Sequence, residues 1–491
     1  MTEINLPACV RGRELWADPA TFTLRASATR MRTPSGVALL PDLPLRDPSA
    51  LRDLQELPHR EIVDFLGRVG AELDIDRNPF LQEALTLGEH WSELPVEVLR
   101  ASYRELPRFF HPEAVREVAN NQLGPEFLDG WHRTRLADGR DAAVRAMGAR
   151  TLHIIAGNTP AVAAMTIVRA ALTRGDTIIK TPSNDPFTAL AVIRTMYALD
   201  PGHPVSRHMS AAYWKGGDAD FEERLYRPEF VEKIVAWGGL ESVRHITTYL
   251  RPGLELIALD PKSSAAVIGP ESLADEVVMA EVARRLAIDV AAYNQLLCVN
   301  VRVAYVITDG DLEDRSRVED LARRVASEMR ALPPDVSSPM PLSEELADHL
   351  DGLRWSPDWY SVIGARARAR AGGGRGIARD EAVVVSWSGE PVDFHLMLAG
   401  RVVNIVPVPD LSTLLTGLSS ATQTVAVFPE RLKDEVRDTL PLYGVQRVVS
   451  LGGAPYMHQA LPQDGMEPVR RMVKWIVDET ASSATGASGD S

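Results

Sequence analysis

From Thr151 onward, short runs of β-branched and aliphatic residues alternate with longer runs of helical periodicity: TLHIIAG, then Ala161 to Thr173, then TIIK, then Phe187 to Leu199. Strands of a parallel sheet are buried on both faces and joined by crossover helices, so this alternation predicts βαβ units, an α/β fold. It continues through Ile234 to Trp237, a helix after Gly239, strands around Leu254 to Leu259 and Ala265 to Ile268, and a helix from about Ala274 to Asp289. Beyond Cys298, NVRVAYVI restarts strand character, and VVVSW, VVNIVPV, QTVAVF and RVVSL fit a second α/β domain. Before Thr151 the pattern is helical, as in Ala50 to Gly70 and Glu83 to Leu106, with turns at Pro41, Pro44 and Pro48. No internal repeat is visible.

At 491 residues the chain exceeds one hydrophobic core, and its 45% hydrophobic and 24% charged residues are ordinary for a folded globular protein. A formal charge of −14 without a clustered basic surface argues against a nucleic-acid partner. The one arginine-dense stretch, ARARARAGGGRGIAR at 365–379, reads as a solvated mobile loop. The longest apolar stretch, near Pro160 to Leu172, is broken by Arg169, and no N-terminal signal pattern is present, so neither a membrane span nor secretion is expected. Two cysteines, Cys9 and Cys298, suit a reducing compartment; a cytoplasmic protein is expected.

Four motifs stand at expected strand ends or between elements, where an open α/β sheet collects its ligands. Gly157-Asn158-Thr159-Pro160 follows TLHIIA; such a turn commonly starts a helix, and the alternative is that the Asn158 amide donates to a developing oxyanion. Lys180 leaves the strand TIIK and precedes Thr181-Pro182-Ser183-Asn184-Asp185; it is either a solvated charge or a ligand for ribose hydroxyls or phosphate. Trp237-Gly238-Gly239 lets backbone approach a pyrophosphate at a helix N-terminus, although paired glycines alone are a weak signal. Cys298, in Tyr293-Asn294-Gln295-Leu296-Leu297-Cys298-Val299-Asn300, is by itself more often a buried small hydrophobe than a nucleophile. No G-x-G-x-x-G follows a strand, and no P-loop, H-E-x-x-H or C-x-x-C occurs; no metal site is expected.

Taken in order, Asn, Lys, Gly-Gly and Asn-Gln-x-x-Cys resemble the aldehyde dehydrogenase superfamily, and within it the bacterial long-chain acyl-CoA reductases, the reductase subunit of the luminescence fatty acid reductase. IIKTPSNDPFTAL and YNQLLCVNVRV carry the resemblance most specifically, within a match from about Arg145 to Gly310; GRVVNIVPV, QTVAVF and HQALPQDGMEPVRRMVKW add weaker stretches. The resemblance implies an aldehyde dehydrogenase-like fold: a helical N-terminal region (1–145) packing on a Rossmann-type dinucleotide domain (146–289), a catalytic thiol domain (290–455), a C-terminal segment returning to the core (456–480) and a disordered tail (481–491). It makes Cys298 the acyl-accepting nucleophile, Asn158 an oxyanion donor beside the Cys298 backbone N–H, Lys180 a cofactor ribose ligand, and Gly238 and Gly239 neighbours of the pyrophosphate. It implies reduction of an acyl thioester, on coenzyme A or an acyl-carrier protein, to the aldehyde. A homo-oligomer and an acyl-protein synthetase partner are further implications.

Two departures from the superfamily pattern bear on chemistry. Hydrolytic aldehyde dehydrogenases carry a general-base glutamate four residues before the lysine of Leu-Glu-Leu-Gly-Gly-Lys; aligned on Lys262 of LELIALDPKSS, that position is Ala258, and Glu255 lies earlier still. Without that base, thioester exchange and reduction are favoured over oxidation of aldehyde to acid, the competing enzymatic reading. A catalytically silent docking protein is the reading from another class, and the intact Asn158, Lys180 and Cys298 set speaks against it. The superfamily's Glu-x-Phe-Gly-Pro segment is replaced by Val403-Asn404-Ile405-Val406-Pro407, leaving its nicotinamide-ribose glutamate without a counterpart. Three residues after the lysine, where the family commonly has a glutamate that repels a 2'-phosphate, stands Ser183, so NADPH is expected over NADH. The alternative is that Ser183 caps the following helix.

Overall fold

The computed structural model describes residues 3–23, 30–309, 315–364, 381–393 and 400–479. The arginine-dense loop and the tail expected to be disordered lie outside these residues. Two seven-stranded sheets dominate. In the first, five strands run parallel in the order Glu255–Leu259, Lys233–Trp237, Thr151–Ile154, Thr177–Lys180, Met209–Ala212. Chain direction across the sheet reverses at Thr151–Ile154, whose sequence successors lie on one side and later strands on the other. That is the topological switch point where open α/β sheets bind ligands at strand C-termini. An antiparallel hairpin, Ala8–Val10 and Arg13–Leu15, extends the far edge.

The second sheet has six parallel strands in the order Ala382–Ser386, Val402–Val408, Val301–Ile307, Ser263–Ile268, Thr422–Phe428, Arg447–Ser450, with Tyr360–Gly364 antiparallel at its edge. Its central strands are buried on both faces, the physical reason for the predominantly apolar runs VVNIVPV and QTVAVF.

The N-terminal helices sit on the first sheet's own helices. His59–Glu72 buries Ile62, Val63, Phe65, Leu66 and Val69, an i, i+3, i+4, i+7 stripe, and shares one core with Pro160–Leu172. That latter helix is buried on almost every side because sheet and N-terminal helices enclose it, so its apolarity reports burial in protein. Among the described residues no helix is long and apolar enough to cross a membrane. The described residues among the first 34 also hold five short strands, which helical periodicity did not foreshadow; Glu3–Asn5, Pro19–Thr23 and Arg30–Pro34 form their own sheet. Near the C-terminus, Val473–Glu479 returns to pair antiparallel with Asp141–Gly148, to which His132–Arg135 adds.

Candidate active site

The C-terminal edge of the first sheet faces the loop that precedes strand Val301–Ile307 of the second. Between them lies a cavity of about 660 Å³ lined by Asn158, Lys180, Ser183, Gly238, Gly239 and Cys298 together, so every candidate site residue converges on one space.

The Cys298 loop has an unusual backbone. Tyr293, Asn294 and Gln295 are consecutive left-handed residues (φ 53°, 52° and 63°), a conformation that costs roughly 1–2 kcal/mol for each L-residue with a side chain. Hydrogen bonds hold it. Asn294 Nδ2 donates to the Ser338 carbonyl (2.6 Å) while its Oδ1 accepts from the Ser338 N–H (3.0 Å). Gln295 Nε2 donates to the Val402 carbonyl (2.6 Å) and its Oε1 accepts from the Val402 N–H (2.8 Å). Asn300 Nδ2 donates to the carbonyls of Asp289 and Ala292, both at 3.1 Å, and its Oδ1 accepts from Leu297 N–H at 2.9 Å. These amides of YNQLLCVN fasten the loop to strand Val402–Val408, to the segment at Ser338 and to the preceding helix, so the reversal that carries Cys298 to the cavity is over-determined.

Burial pushes the Cys298 thiol up to about 11, and the Asp464 carboxylate adds to this, while a hydrogen bond from Gln423 and the Arg302 guanidinium oppose it. The Ser264 hydroxyl fixes the Cys298 carbonyl at 2.8 Å. Asn158 Nδ2 donates to the Leu296 carbonyl at 3.0 Å, which holds the amide against the nucleophile loop; a carboxamide nitrogen carries a second N–H. Gly157 is required here: a Cβ would stand 2.2 Å from Asn184 Oδ1 and 2.8 Å from Pro182 Cγ, where the loops after the first two strands touch. Thr159 caps helix Pro160–Leu172, with Pro160 at its first position.

On the other wall, Lys180 meets the Trp214 ring at 5.7 Å and, among the described residues, no carboxylate within ion-pair distance. Enclosure by protein pushes it down to about 8, with Glu222 pulling the other way. An enclosed ammonium without an ion-pair partner suits a ligand rich in hydroxyl and phosphate oxygens. Gly239 is the N-cap of helix Leu240–Thr247, and a Cβ added to it would meet nothing within 4 Å, leaving the helix N-terminus approachable. Ser183 is exposed to the cavity, and the cap of the following helix comes from Asp185, whose Oδ1 accepts from Phe187 N–H (3.3 Å) and Thr188 N–H (3.0 Å). The capping alternative for Ser183 thus lacks a hydrogen bond among the described residues. These walls fit a dinucleotide.

One position differs from the sequence alignment. The wall before Ser263 is Leu259, Asp260, Pro261 and Lys262; Ala258 does not line it, and alternation along strand Glu255–Leu259 turns Ala258 away from the side that Leu259 presents. Asn404 is a buried tie within the second sheet, donating to the Val384 carbonyl and Ser386 Oγ (both 3.0 Å) and accepting from Val392 N–H (2.7 Å). Sequence reasoning missed Arg302, Gln423 and Asp464. Arg302 sits in the quoted NVRV and Asp464 in QDGM, but nothing local in either signals proximity to a cysteine. The remaining wall is largely apolar, with Phe109, Val162, Met165, Leu296, Leu297 and Met457.

Solved structures with this architecture include lactaldehyde dehydrogenase from Escherichia coli (TM-score 0.71, 13% identity, 98% of this chain and 100% of that one). Another is an NADP-dependent glyceraldehyde-3-phosphate dehydrogenase from Bacillus halodurans complexed with NADP (TM-score 0.71, 14% identity, 97% and 99%). The fold is that of the aldehyde dehydrogenases. In sequence, the chain is 25% identical over 487 residues to the long-chain acyl-protein thioester reductase of Photobacterium phosphoreum, covering 90% of this chain and 92% of that protein. It is 26% identical over 423 residues to the protein of the same name from Photorhabdus luminescens, covering 82% of each. Residues 54–475 match the profile of the acyl-CoA reductase (LuxC) family, and the chain belongs to that family of aldehyde-forming oxidoreductases.

Proposed function

We propose that the protein reduces a long-chain acyl thioester, carried on coenzyme A or on a protein, to the aldehyde with NADPH through an S-acyl intermediate on Cys298. The observation that supports this most is the convergence of a held cysteine, an oriented carboxamide and an enclosed lysine on one cavity with an apolar remainder. The relatives' names supply the long chain and the protein-borne thioester. Lys180 and Ser183 would hold the adenosine ribose and its 2'-phosphate, and Gly238 and Gly239 would lie against the pyrophosphate. When bound, the reduced nicotinamide supplies the hydride.

The remaining chemistry belongs to the chain. Cys298 sulfur attacks the thioester carbonyl, and the carbonyl oxygen develops charge facing the second Asn158 N–H and the Cys298 N–H. The carrier thiol leaves. After reduction of the acyl carbon, the same donors release the oxygen as the aldehyde forms and cysteine departs as thiolate, a good leaving group. The apolar wall holds the chain and excludes water from the thioester. Cys9 and Cys298 are both free thiols, which suits a reducing, cytoplasmic setting. Homo-oligomerisation and an acyl-protein synthetase partner belong to the same proposal.

Intact-mass measurement after incubation with a long-chain acyl-CoA, without reductant, tests it. Wild type should gain one acyl group, Cys298→Ala none, and reduced cofactor should then discharge the adduct. An equal adduct on Cys298→Ala removes this residue from the role.

A further inference from the structure

Asp464 stands on a two-residue hairpin turn: Gln463 and Met466 pair across Asp464 (φ 52°) and Gly465 (φ 74°). Asp-Gly is a dipeptide that such a left-handed turn favours. The turn is pinned from the opposite sheet's helix, where buried Arg169 donates to Gln463 Oε1 at 2.8 Å and to the Gln459 carbonyl at 3.1 Å. Asp464 is thereby presented on the cavity wall beside Cys298. One buried amide stands between the two, for the Gln423 side chain donates from Nε2 to Asp464 Oδ1 and also favours the thiolate of Cys298. Asp464 and Cys298 line the same cavity and the carboxylate charge acts on the thiol, the arrangement that proton transfer, directly or over one water, requires.

The proposed acyl transfer needs such a path. A thiol held protonated at neutral pH must lose its proton as it attacks. Among the described residues the cavity wall has no histidine and no glutamate; its carboxylates are Asp260, which is exposed, and Asp464, which Gln423 holds. Lys262, Asp260 and Arg169 face Asp464 from the neighbouring loop and helix, and Arg302 and Arg447 face the thiol. Burial and Asp260 raise the Asp464 carboxyl above the ordinary range, against Gln423, Lys262 and Arg169, which brings it nearer to the pH at which a base is efficient.

We propose that Asp464 is the general base that accepts the Cys298 proton during acyl transfer and returns it to the departing carrier thiolate. The proposal rests on the reading of Cys298 as acyl acceptor. As the S–C bond to the acyl carbon forms, the thiol proton moves to a carboxylate oxygen. As the bond to the carrier sulfur breaks, its electron pair leaves on that sulfur and the Asp464 proton neutralises it. No oxidation or reduction occurs in this half.

Asp464→Asn keeps the turn, since Asn-Gly is equally favoured there, and removes the base; Asp464→Glu keeps a carboxylate. Two rates are read against pH: acylation by acyl-CoA without reductant, by quenched intact mass, and alkylation by iodoacetamide. In Asp464→Asn, acylation near neutrality should fall by about 10²- to 10⁴-fold, while alkylation should become faster because a negative charge beside the sulfur is gone. Asp464→Glu should recover part of the acylation. A merely structural role slows both reactions together, and that result, or acylation unchanged in Asp464→Asn, overturns the proposal. If wild type forms no adduct that Cys298→Ala abolishes, the nucleophile reading itself fails, and this one with it.

Discussion

The thiol of Cys298 offers a quantitative check on the site's electrostatics. Held at about 11 against an ordinary value of 9.0, it is two units less acidic, equivalent to about 2.7 kcal/mol against the thiolate. At pH 7 the thiolate fraction is then about 10⁻⁴, compared with about 10⁻² for an unperturbed cysteine. A more basic thiolate is intrinsically more reactive; with a Brønsted slope of about 0.4–0.5 over two units this recovers about eightfold. Iodoacetamide should therefore alkylate Cys298 roughly tenfold more slowly at pH 7 than it alkylates a peptide cysteine. The rate should keep climbing about tenfold per pH unit to beyond pH 10. Cys9 is fully buried and raised further still, so it should stay silent, and peptide mapping after alkylation checks this. A plateau at or below about pH 8.5, or alkylation faster than the peptide's, would refute the view that burial and the Asp464 charge outweigh Arg302 and Gln423 in the resting site.

Asn158→Ala should slow acylation by about 10²- to 10³-fold through loss of one oxyanion donor, with cofactor affinity unchanged in a fluorescence titration. Lys180 loses its proton above about pH 8 in the free protein, so NADPH affinity should weaken as pH rises past 8, a dependence that Lys180→Met should abolish. Ser183→Glu should weaken NADPH far more than NADH in steady-state kinetics; equal loss of both removes Ser183 from the choice. Across an acyl-CoA series, kcat/KM should improve about fourfold per methylene, from roughly 0.8 kcal/mol each, until the apolar wall is filled.

The fold was legible where burial leaves a continuous local trace. TIIK and KIVAW are apolar between their ends because both faces are covered there. Ala8–Val10 and its neighbours are three to five residues long, too short for any period, and are strands only because a sheet edge recruits them. The site's loop residues could be named from their motifs, yet not their geometry: no preference of Tyr293 or Gln295 suggests a left-handed backbone, which exists because Val402 and Ser338 supply partners from distant segments. Asp464 was hidden for a different reason. An Asp-Gly turn announces a hairpin, and only the tertiary fold sets it beside a thiol.

The grip of Arg169 on Gln463 spans 294 residues, and this separation imposes an order in time on the emerging polypeptide. On the ribosome, the dinucleotide sheet and the Cys298 loop are finished long before the turn bearing Asp464 exists. During that interval the cysteine lacks its adjoining carboxylate, the amide bridge is incomplete and one wall of the cavity is missing. Catalytic competence therefore switches on only once that turn has emerged and docked, and a nascent chain released before it should own a nucleophile without the surroundings that discipline it.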